Sequence, residues 1–476
     1  MSREAKNNAW LKYNQLEKEQ IFDFCEGYKN YLSVGKTERE CIHEAVRLAE
    51  QKGYKNLNDV IKNNEVLKAG DKVYLNNKDK ALVLYLIGND NIENGMRIIG
   101  SHVDSPRIDL KQNPLYEDGN LALMDTHYYG GVKKYQWVTL PLALHGIVVK
   151  KDGTKINIVI GEDDNDPVLG ISDLLIHLSG KQMQKKGNVI VEGEDLNVLI
   201  ANEVIAGEDL NVLVGNIPLE GKEKDAVKEN ILALLKEKYD FEEDDFISAE
   251  FEIVPAGKAR DLGLDKSMVM GYGQDDRICA YTSLMALLEV ENVEKTSVIL
   301  LVDKEEVGSI GATGMHSRFF ENSLAEVMDR MGQYSELKLK RALQNSLMLS
   351  ADVTAAYDPN YPSACEKKNT AYFAKGLVFS KYTGARGKSG CNDANPEFIA
   401  WLRKIMEKNN VSYQTAELGK VDQGGGGTIA YILAQYNMEV IDCGVALQNM
   451  HAPWEVSSKV DIFETKNGYK AFLIEE

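Results

Sequence analysis

The spacing of apolar positions along the chain predicts helices first and a buried sheet afterwards. Residues 10–31 mix apolar and charged positions at helical spacing, and a second amphipathic run follows Thr37-Glu38-Arg39-Glu40, a typical helix start. Short apolar runs of the kind found in buried strands then occur at 81–87, 96–99, 297–302, 346–349 and 438–441. Helical patterns, such as 396–408, lie between them. This order predicts an α/β fold with a mixed sheet sandwiched by helices.

The middle of the chain has a different pattern. Residues 110–254 show strict alternation, as at 155–160, and frequent turn signals, both typical of a β-rich region. A chain of 476 residues also exceeds the usual size of one core, so two domains are expected. We therefore predict a catalytic domain formed by residues 1–108 and 256–476, interrupted by an inserted β-rich domain at 109–255.

Composition narrows the function classes. A formal net charge of −18 argues against nucleic-acid binding, which needs clustered basic residues. The apolar runs are too short to span a bilayer, and the first residues lack the apolar core of a signal peptide. Six scattered cysteines without a CxxC pair fit reduced thiols. The expected location is the cytoplasm, without a membrane or nucleic-acid partner.

Imidazoles and carboxylates mostly follow the predicted strands, where open α/β sheets place ligands, and one pair of aspartates precedes a predicted helix. They occur in five segments: Ser101-His102-Val103-Asp104, Gln274-Asp275-Asp276-Arg277, Asp303-Lys304-Glu305-Glu306-Val307-Gly308, Ser350-Ala351-Asp352 and Met450-His451. Together they provide the ligands that a pair of divalent metals needs, with a spare carboxylate as general base. Each segment alone also fits a structural role, such as a helix N-cap or a turn.

Two glycine-rich segments do not indicate nucleotide cofactors. Gly308, Gly311 and Gly314 have the spacing GxxGxxG and not the GxGxxG of a dinucleotide loop. The run 424–427 lacks the GK[ST] ending of a phosphate-binding loop. No cofactor other than metal ions is therefore expected.

The five segments, in this order, resemble the M18 family of metalloaminopeptidases, which includes aspartyl aminopeptidase and vacuolar aminopeptidase I. The shared patterns are H-x-D, D-[ND], D-x-E-E-V-G-S, S-x-D and M-H-[SA], and the similarity runs nearly end to end, from 24–54 to 450–455. The resemblance implies two zinc ions per subunit, with cobalt and manganese as alternatives.

The resemblance also implies a set of ligands. Asp275 would bridge the two ions, His102 and Asp352 would complete one site, and Glu306 and His451 would complete the other. The family has a cis peptide bond after the bridging aspartate, so one is expected between Asp275 and the next residue.

Further roles follow from the same resemblance. Glu305 would be the general base and Asp104 a supporting carboxylate. His177, in a segment similar to one that reaches a neighbouring subunit's active site, would donate a hydrogen bond to the oxyanion. Lys381 and Arg386 are candidates for binding a substrate carboxylate, although a surface salt bridge would explain them equally well.

The family assembles as a homododecamer built from dimers, and its inserted domain forms the dimer. Many members have a histidine where this chain has Ala355, so the resemblance does not fix a preference for acidic N-terminal residues. The predicted function is metal-dependent removal of N-terminal amino acids from peptides. The alternatives are a two-metal carboxypeptidase or deacylase, and a catalytically silent assembly or binding protein on the same scaffold.

Overall fold

The computed structural model describes residues 8–191, 211–384 and 387–476. The chain divides into two compact units. Unit 1 comprises residues 1–104, 259–450 and 455–476, and unit 2 comprises 105–258 and 451–454. Arg386 lies outside the described residues.

The described residues form ten α-helices and twenty-one strands. The helices are α1 Gln15–Val34, α2 Glu38–Gln51, α3 Leu57–Lys62, α4 Ala226–Tyr239, α5 Gln274–Leu288, α6 Phe319–Arg330, α7 Glu336–Asn345, α8 Pro396–Lys408, α9 Ala430–Ala434 and α10 Lys459–Ile474. The strands are β1 Lys55–Asn56, β2 Lys72–Asn77, β3 Ala81–Leu86, β4 Arg97–His102, β5 Arg107–Asp118, β6 Leu121–Tyr129, β7 Leu142–Val149, β8 Lys155–Ile160, β9 Gly170–Ile171, β10 Val212–Gly215, β11 Ala249–Pro255, β12 Arg260–Leu262, β13 Met268–Gly271, β14 Ser297–Val302, β15 Leu347–Ser350, β16 Thr354–Ala355, β17 Leu377–Ser380, β18 Tyr413–Thr415, β19 Glu439–Gly444, β20 Ala446–Gln448 and β21 Glu455–Ser458.

Unit 1 is built on a mixed sheet. Its described strands are nine, in the order β1-β2-β3-β14-β4-β15-β19-β17-β18. The four central strands, β14, β4, β15 and β19, are parallel to one another, so their carboxyl ends share one edge. In this register Val302 lies opposite His102, and Ser350 lies opposite Gly100 and Asp442. This edge brings together the polar segments that follow the strands.

Both faces of this sheet are covered, which explains why the middles of its central strands are apolar. Alternate residues, such as Ile99 and Leu349, pack into one core with residues of α1, α2, α5, α8 and α10. Their neighbours Ile98 and Met348 pack into a second core with residues of α3, α6, α7 and α9. The prediction of an α/β fold with a mixed sheet sandwiched by helices is confirmed. A smaller sheet of unit 1 has the order β12-β13-β21-β20-β16 in the described residues.

Helix starts follow local sequence signals. Thr37 and Glu40 form the expected capping box at α2, where the Glu40 N–H donates to the Thr37 hydroxyl and the Thr37 N–H donates to the Glu40 carboxylate. The N-terminal helix begins later than predicted, at Gln15, because Asn14 caps it with its side chain.

Unit 2 contains a sheet of seven strands among its described residues, in the order β8-β7-β11-β5-β6-β10-β9. All of its pairs are antiparallel, as the alternating pattern at 155–160 indicated. None of the helices formed by the described residues is both long and apolar enough to cross a bilayer. The cysteines form no disulfide within the described residues.

Candidate metal centre

The candidate metal ligands of unit 1 lie at the shared carboxyl edge of the parallel strands. His102 is the last residue of β4, Asp352 follows β15 by two positions, and Glu306 is in a short 3-10 turn after β14. Asp275 comes from the start of α5, where its backbone leaves the helical region. The parallel pairing of β14, β4 and β15 brings three of these side chains together, and the start of α5 adds Asp275, although the four are far apart in the sequence.

The described residues contain two groups of side chains that could hold a metal ion. One group is His102, Asp276 and Asp352, and the other is His102, Asp275 and Glu306. Within each group the ligand atoms lie within 4.8 Å of one another. One imidazole with several carboxylates suits zinc, which binds nitrogen and oxygen donors in this combination.

The cis peptide bond expected after the bridging aspartate is present between Asp275 and Asp276. Asp276 was predicted only as a member of the carboxylate pair, yet its side chain enters one donor group. The residue is completely buried, and its carboxylate oxygens receive no hydrogen bond of regular geometry from the described residues, although the thiol and N–H groups of Cys279 interact with them weakly. A cation would satisfy such oxygens, so these residues fit a bound metal. The signal available in the sequence was the adjacency of the two aspartates.

The buried carboxylates of the centre repel one another, and their pKa values are shifted as a result. Burial raises the pKa of Asp276 well above its usual value. Burial, followed by the charges of Asp276 and Asp275, likewise raises the pKa of Asp352. Burial alone would lower the pKa of His102, but hydrogen bonds with Asp104 and Asp275 hold it well above the usual value. So many buried carboxylates need a positive charge, from protons or from metal ions.

Asp104 is the residue that connects β4 with the turn containing the two glutamates. Its Oδ1 accepts the N–H of Glu305 at 3.1 Å, and its Oδ2 accepts the N–H of Glu306 at 3.2 Å. The same carboxylate lies 3.3 Å from Nδ1 of His102, whose ring nitrogen also contacts the Asp104 carbonyl oxygen at 2.9 Å. One buried carboxylate therefore orients both the imidazole and the turn.

Glu305 is placed at the accessible side of the centre. Its side chain retains 15% exposure, compared with 2% for that of His102, and its Oε2 lies 3.9 Å from Nε2 of His102. The turn Glu305–Val307 is bounded by Lys304 and Gly308, both with positive φ, which lets the chain reverse direction tightly. Glu305 thus stands beside the donor groups without belonging to either.

Two predicted histidines lie in unit 2. His451 has a φ of 65°, its Nδ1 contacts the Gly131 carbonyl oxygen at 3.0 Å, and it is absent from both donor groups found in the described residues. His177 is exposed in the segment after β9, flanked by the exposed apolar side chains of Ile176 and Leu178.

Lys381 follows β17 and is engaged in an ion pair. Its ammonium group contacts the Asp393 carboxylate, which also binds Lys388 at 2.9 Å. Hydrogen bonds from these two lysines lower the pKa of Asp393. Asp393 is twelve residues from Lys381 in the sequence, and no spacing pattern indicated this partner.

Comparisons with known proteins show which family this chain belongs to. A family model described as aminopeptidase I zinc metalloprotease (M18) matches residues 31–473. A Clostridium acetobutylicum protein described as probable M18 family aminopeptidase 1 is 63% identical over 466 residues, covering 98% of this chain and 97% of its own length. The crystal structure of aminopeptidase I from Clostridium acetobutylicum has 59% identity and a TM-score of 0.90, covering 99% of this chain and 100% of that one.

A second crystal structure, of an M18 family aminopeptidase from Thermotoga maritima, is similar over the same extent. Its identity is 42% and its TM-score 0.91, with 99% of this chain and 100% of that chain covered. The chain therefore belongs to the M18 family and is a metalloaminopeptidase, a hydrolase of peptide bonds.

Proposed function

We propose that this enzyme removes N-terminal amino acids from peptides at a centre of two zinc ions, and that Glu305 is its general base. The proposed ligands are His102, Asp275, Glu306, Asp352 and His451. The observation that supports this best is the clustering of four of these side chains in two overlapping donor groups at one sheet edge. Family membership favours an aminopeptidase over a carboxypeptidase, a deacylase or a silent binding protein.

The assignment of the bridging ligand differs from the simplest geometric grouping. The proposal makes Asp275 the ligand shared by both ions, whereas the two donor groups share His102 and include Asp276. We favour Asp275 because it follows the family pattern, in which the next position is either aspartate or asparagine. Asparagine replaces one carboxylate oxygen with an amide nitrogen, so a required ligand would not vary in this way.

Bound zinc would lower the pKa of a water molecule and polarise the scissile carbonyl group. Glu305 would accept a proton from that water as the water oxygen attacks the scissile carbonyl carbon, and would deliver the proton to the amine nitrogen as the C–N bond breaks. Asp104 holds the backbone of Glu305 and Glu306 through two N–H groups, so the base keeps its position during both proton transfers. The buried carboxylates of the centre attract the free α-amino group of the substrate, which explains the restriction to N-termini.

Self-association belongs to the same proposal. A similar structure, at 19% identity, is described as the dodecamer of mApe1 from S. cerevisiae. We propose a homododecamer built from dimers, with unit 2 as the dimerisation domain. The exposed side chains of Leu175, Ile176 and Leu178 support this role, because a second copy would remove them from water. His177, between them, would then reach a neighbouring subunit and donate to the oxyanion.

Substrate preference depends on Lys381 in this proposal. A substrate carboxylate would have to compete with Asp393, which already binds the ammonium group. Asp393→Asn should therefore raise the rate on aspartyl and glutamyl anilides relative to leucyl anilide. If the ratio of the rates on acidic and leucyl anilides is unchanged, Lys381 does not bind a substrate carboxylate.

The central test uses metal-stripped protein and a panel of aminoacyl anilides. Zinc, cobalt or manganese should restore hydrolysis of free N-termini, and blocked N-termini should stay intact. Glu305→Gln should bind zinc normally and lose nearly all turnover. Wild-type turnover by this variant with zinc bound would refute the assignment of the base.

A further inference from the structure

Gln274, the residue before Asp275, has every hydrogen-bonding group of its side chain occupied. The residue is completely buried. Its Nε2 donates to the carbonyl oxygens of Glu455 at 2.7 Å and Val269 at 3.3 Å. Its Oε1 accepts hydrogen bonds from the hydroxyl groups of Tyr28, at 3.1 Å, and Ser457.

These four contacts fix the orientation of the side-chain amide. Carbonyl oxygens only accept hydrogen bonds, so the nitrogen of Gln274 must face Val269 and Glu455. The hydroxyl groups of Tyr28 and Ser457 can donate, so they provide both hydrogen bonds that the Gln274 oxygen accepts. Exchanging the oxygen and nitrogen would place acceptors against acceptors, and only one orientation is therefore satisfied.

Asp275, the next residue, is also hydrogen-bonded to Glu455, the first residue of β21. The N–H of Asp275 donates to Oε2 of Glu455 at 3.2 Å, and Glu455 is almost completely buried. Gln274 and Asp275 are thus both held by β21, through the backbone and the side chain of Glu455. We call this set of contacts the Gln274 clamp.

The backbone at this point needs such an attachment. Asp275 has φ −81° and ψ 105°, and Asp276 has φ −117° and ψ 29°, so neither has helical geometry. The hydrogen bonds of a regular helix therefore do not fix their orientation. Tertiary contacts must set the direction in which the Asp275 carboxylate points.

We propose that Gln274 and Glu455 are positioning residues, which hold Asp275 in the orientation that metal binding requires. This inference rests on the proposed two-zinc centre and goes beyond it, because neither residue belongs to a donor group in the described residues. If Asp275 bridges the two ions, loosening the clamp weakens the binding of both ions together.

The experiment compares Gln274→Met, which keeps the length of the side chain but removes its four hydrogen bonds, with wild type. Zinc affinity is measured by competition with a chromophoric chelator, and the thermal unfolding of the zinc-free protein is measured in parallel. Gln274→Met should lower the affinity for both ions by about 10-fold to 100-fold, the usual effect of losing a contact that orients a ligand.

Thr282→Val is the matched control. Thr282 is also buried in α5, and its hydroxyl group donates to the Ile278 carbonyl oxygen within the same helix. This variant should unfold at a lower temperature and keep wild-type zinc affinity. If zinc affinity falls in both variants in proportion to stability, the contacts of Gln274 have no specific positioning role and the inference is wrong.

Tyr28→Phe provides a milder variant in case Gln274→Met does not fold. It removes one donor to Oε1 of Gln274 and should lower zinc affinity by about threefold or more, within the range for one hydrogen bond.

Glu306→Ala distinguishes the proposed zinc ligand set from the positioning role of Gln274. If Glu306→Ala loses zinc while Gln274→Met and Tyr28→Phe bind it fully, the positioning role is wrong but the ligand set stands. If Glu306→Ala binds zinc as wild type does, the proposed ligand set is wrong.

Discussion

Replacing Asp104 with asparagine tests how the general base is held. The carboxylate accepts one N–H from Glu305 and one from Glu306, each through a different oxygen. The asparagine side chain has one oxygen, so it can keep only one of these bonds. Its NH₂ group would face the other N–H, which places two donors together in a buried location.

The expected magnitude follows from these two contacts. A hydrogen bond to a charged acceptor contributes about 1.5–3 kcal/mol, and a buried donor without a partner costs about 1–3 kcal/mol. Asp104→Asn should therefore weaken the attachment of the turn by about 3 kcal/mol. If that free energy is needed to place Glu305 in the transition state, kcat falls on the order of 100-fold.

The assay measures kcat and KM on leucyl anilide at saturating zinc, together with bound zinc per subunit. We expect kcat to fall while KM changes by less than about threefold, since the contact acts on the base and not on substrate binding. Asp442→Asn is the control, because Asp442 is another buried carboxylate of the same sheet but contacts the Thr428 hydroxyl group instead of the turn. It should keep wild-type kcat.

Two results would contradict this reasoning. If kcat of Asp104→Asn stays within about threefold of wild type, other contacts hold the turn. If kcat of Asp104→Asn is reduced at limiting zinc but equals the wild-type value at saturating zinc, Asp104 acts on metal affinity through His102, from which its carboxylate lies 3.3 Å away, and not on the position of Glu305.

Three further predictions concern the same sheet edge. A Cβ atom on Gly444 would lie 1.9 Å from the Asp352 carbonyl oxygen, so Gly444→Ala should displace that ligand and lower zinc affinity in chelator competition; unchanged affinity would contradict this. Asp275→Asn should abolish binding of both zinc ions, whereas Asp276→Asn should keep it; the reverse order, measured as metal content, would make Asp276 the ligand. Burial raises the pKa of Asp442 from 3.8 to about 6, so its contribution to stability is present below pH 3.8 and lost as pH rises to about 6. Asp442→Asn cannot ionise and avoids that loss. The unfolding free energy of the variant minus that of wild type should therefore increase by about 3 kcal/mol between pH 3.8 and pH 6, as measured by denaturant unfolding. A difference that does not change with pH would contradict this prediction.

Local patterns in the sequence determined the secondary structure and the class of fold. The apolar runs at 81–87, 297–302 and 438–441 correspond to β3, β14 and β19, because strands covered on both faces are mainly apolar, with few polar exceptions such as Asp442. The capping box at Thr37 and Glu40 begins α2, since it depends only on residues three positions apart. Such signals extend over a few residues and can therefore be recognised without knowing the tertiary structure.

The sequence also indicated which residue types form the site, but their partners depend on strand order. Glu305 is 201 residues from Asp104, and the two meet only because β14 pairs directly with β4. Asp276 enters a donor group because its backbone departs from the helix, which its position before an apolar helical run did not indicate.

The contacts of the Gln274 clamp likewise could not be predicted from the sequence. Gln274 meets Tyr28 across 246 positions and Ser457 across 183. A buried amide is stable only where four complementary groups converge on it, and that convergence is a property of the packed sheets and helices. The sequence alone determined the elements and the candidate ligands, whereas the tertiary structure decided which groups orient them, because those contacts join segments that no local pattern connects.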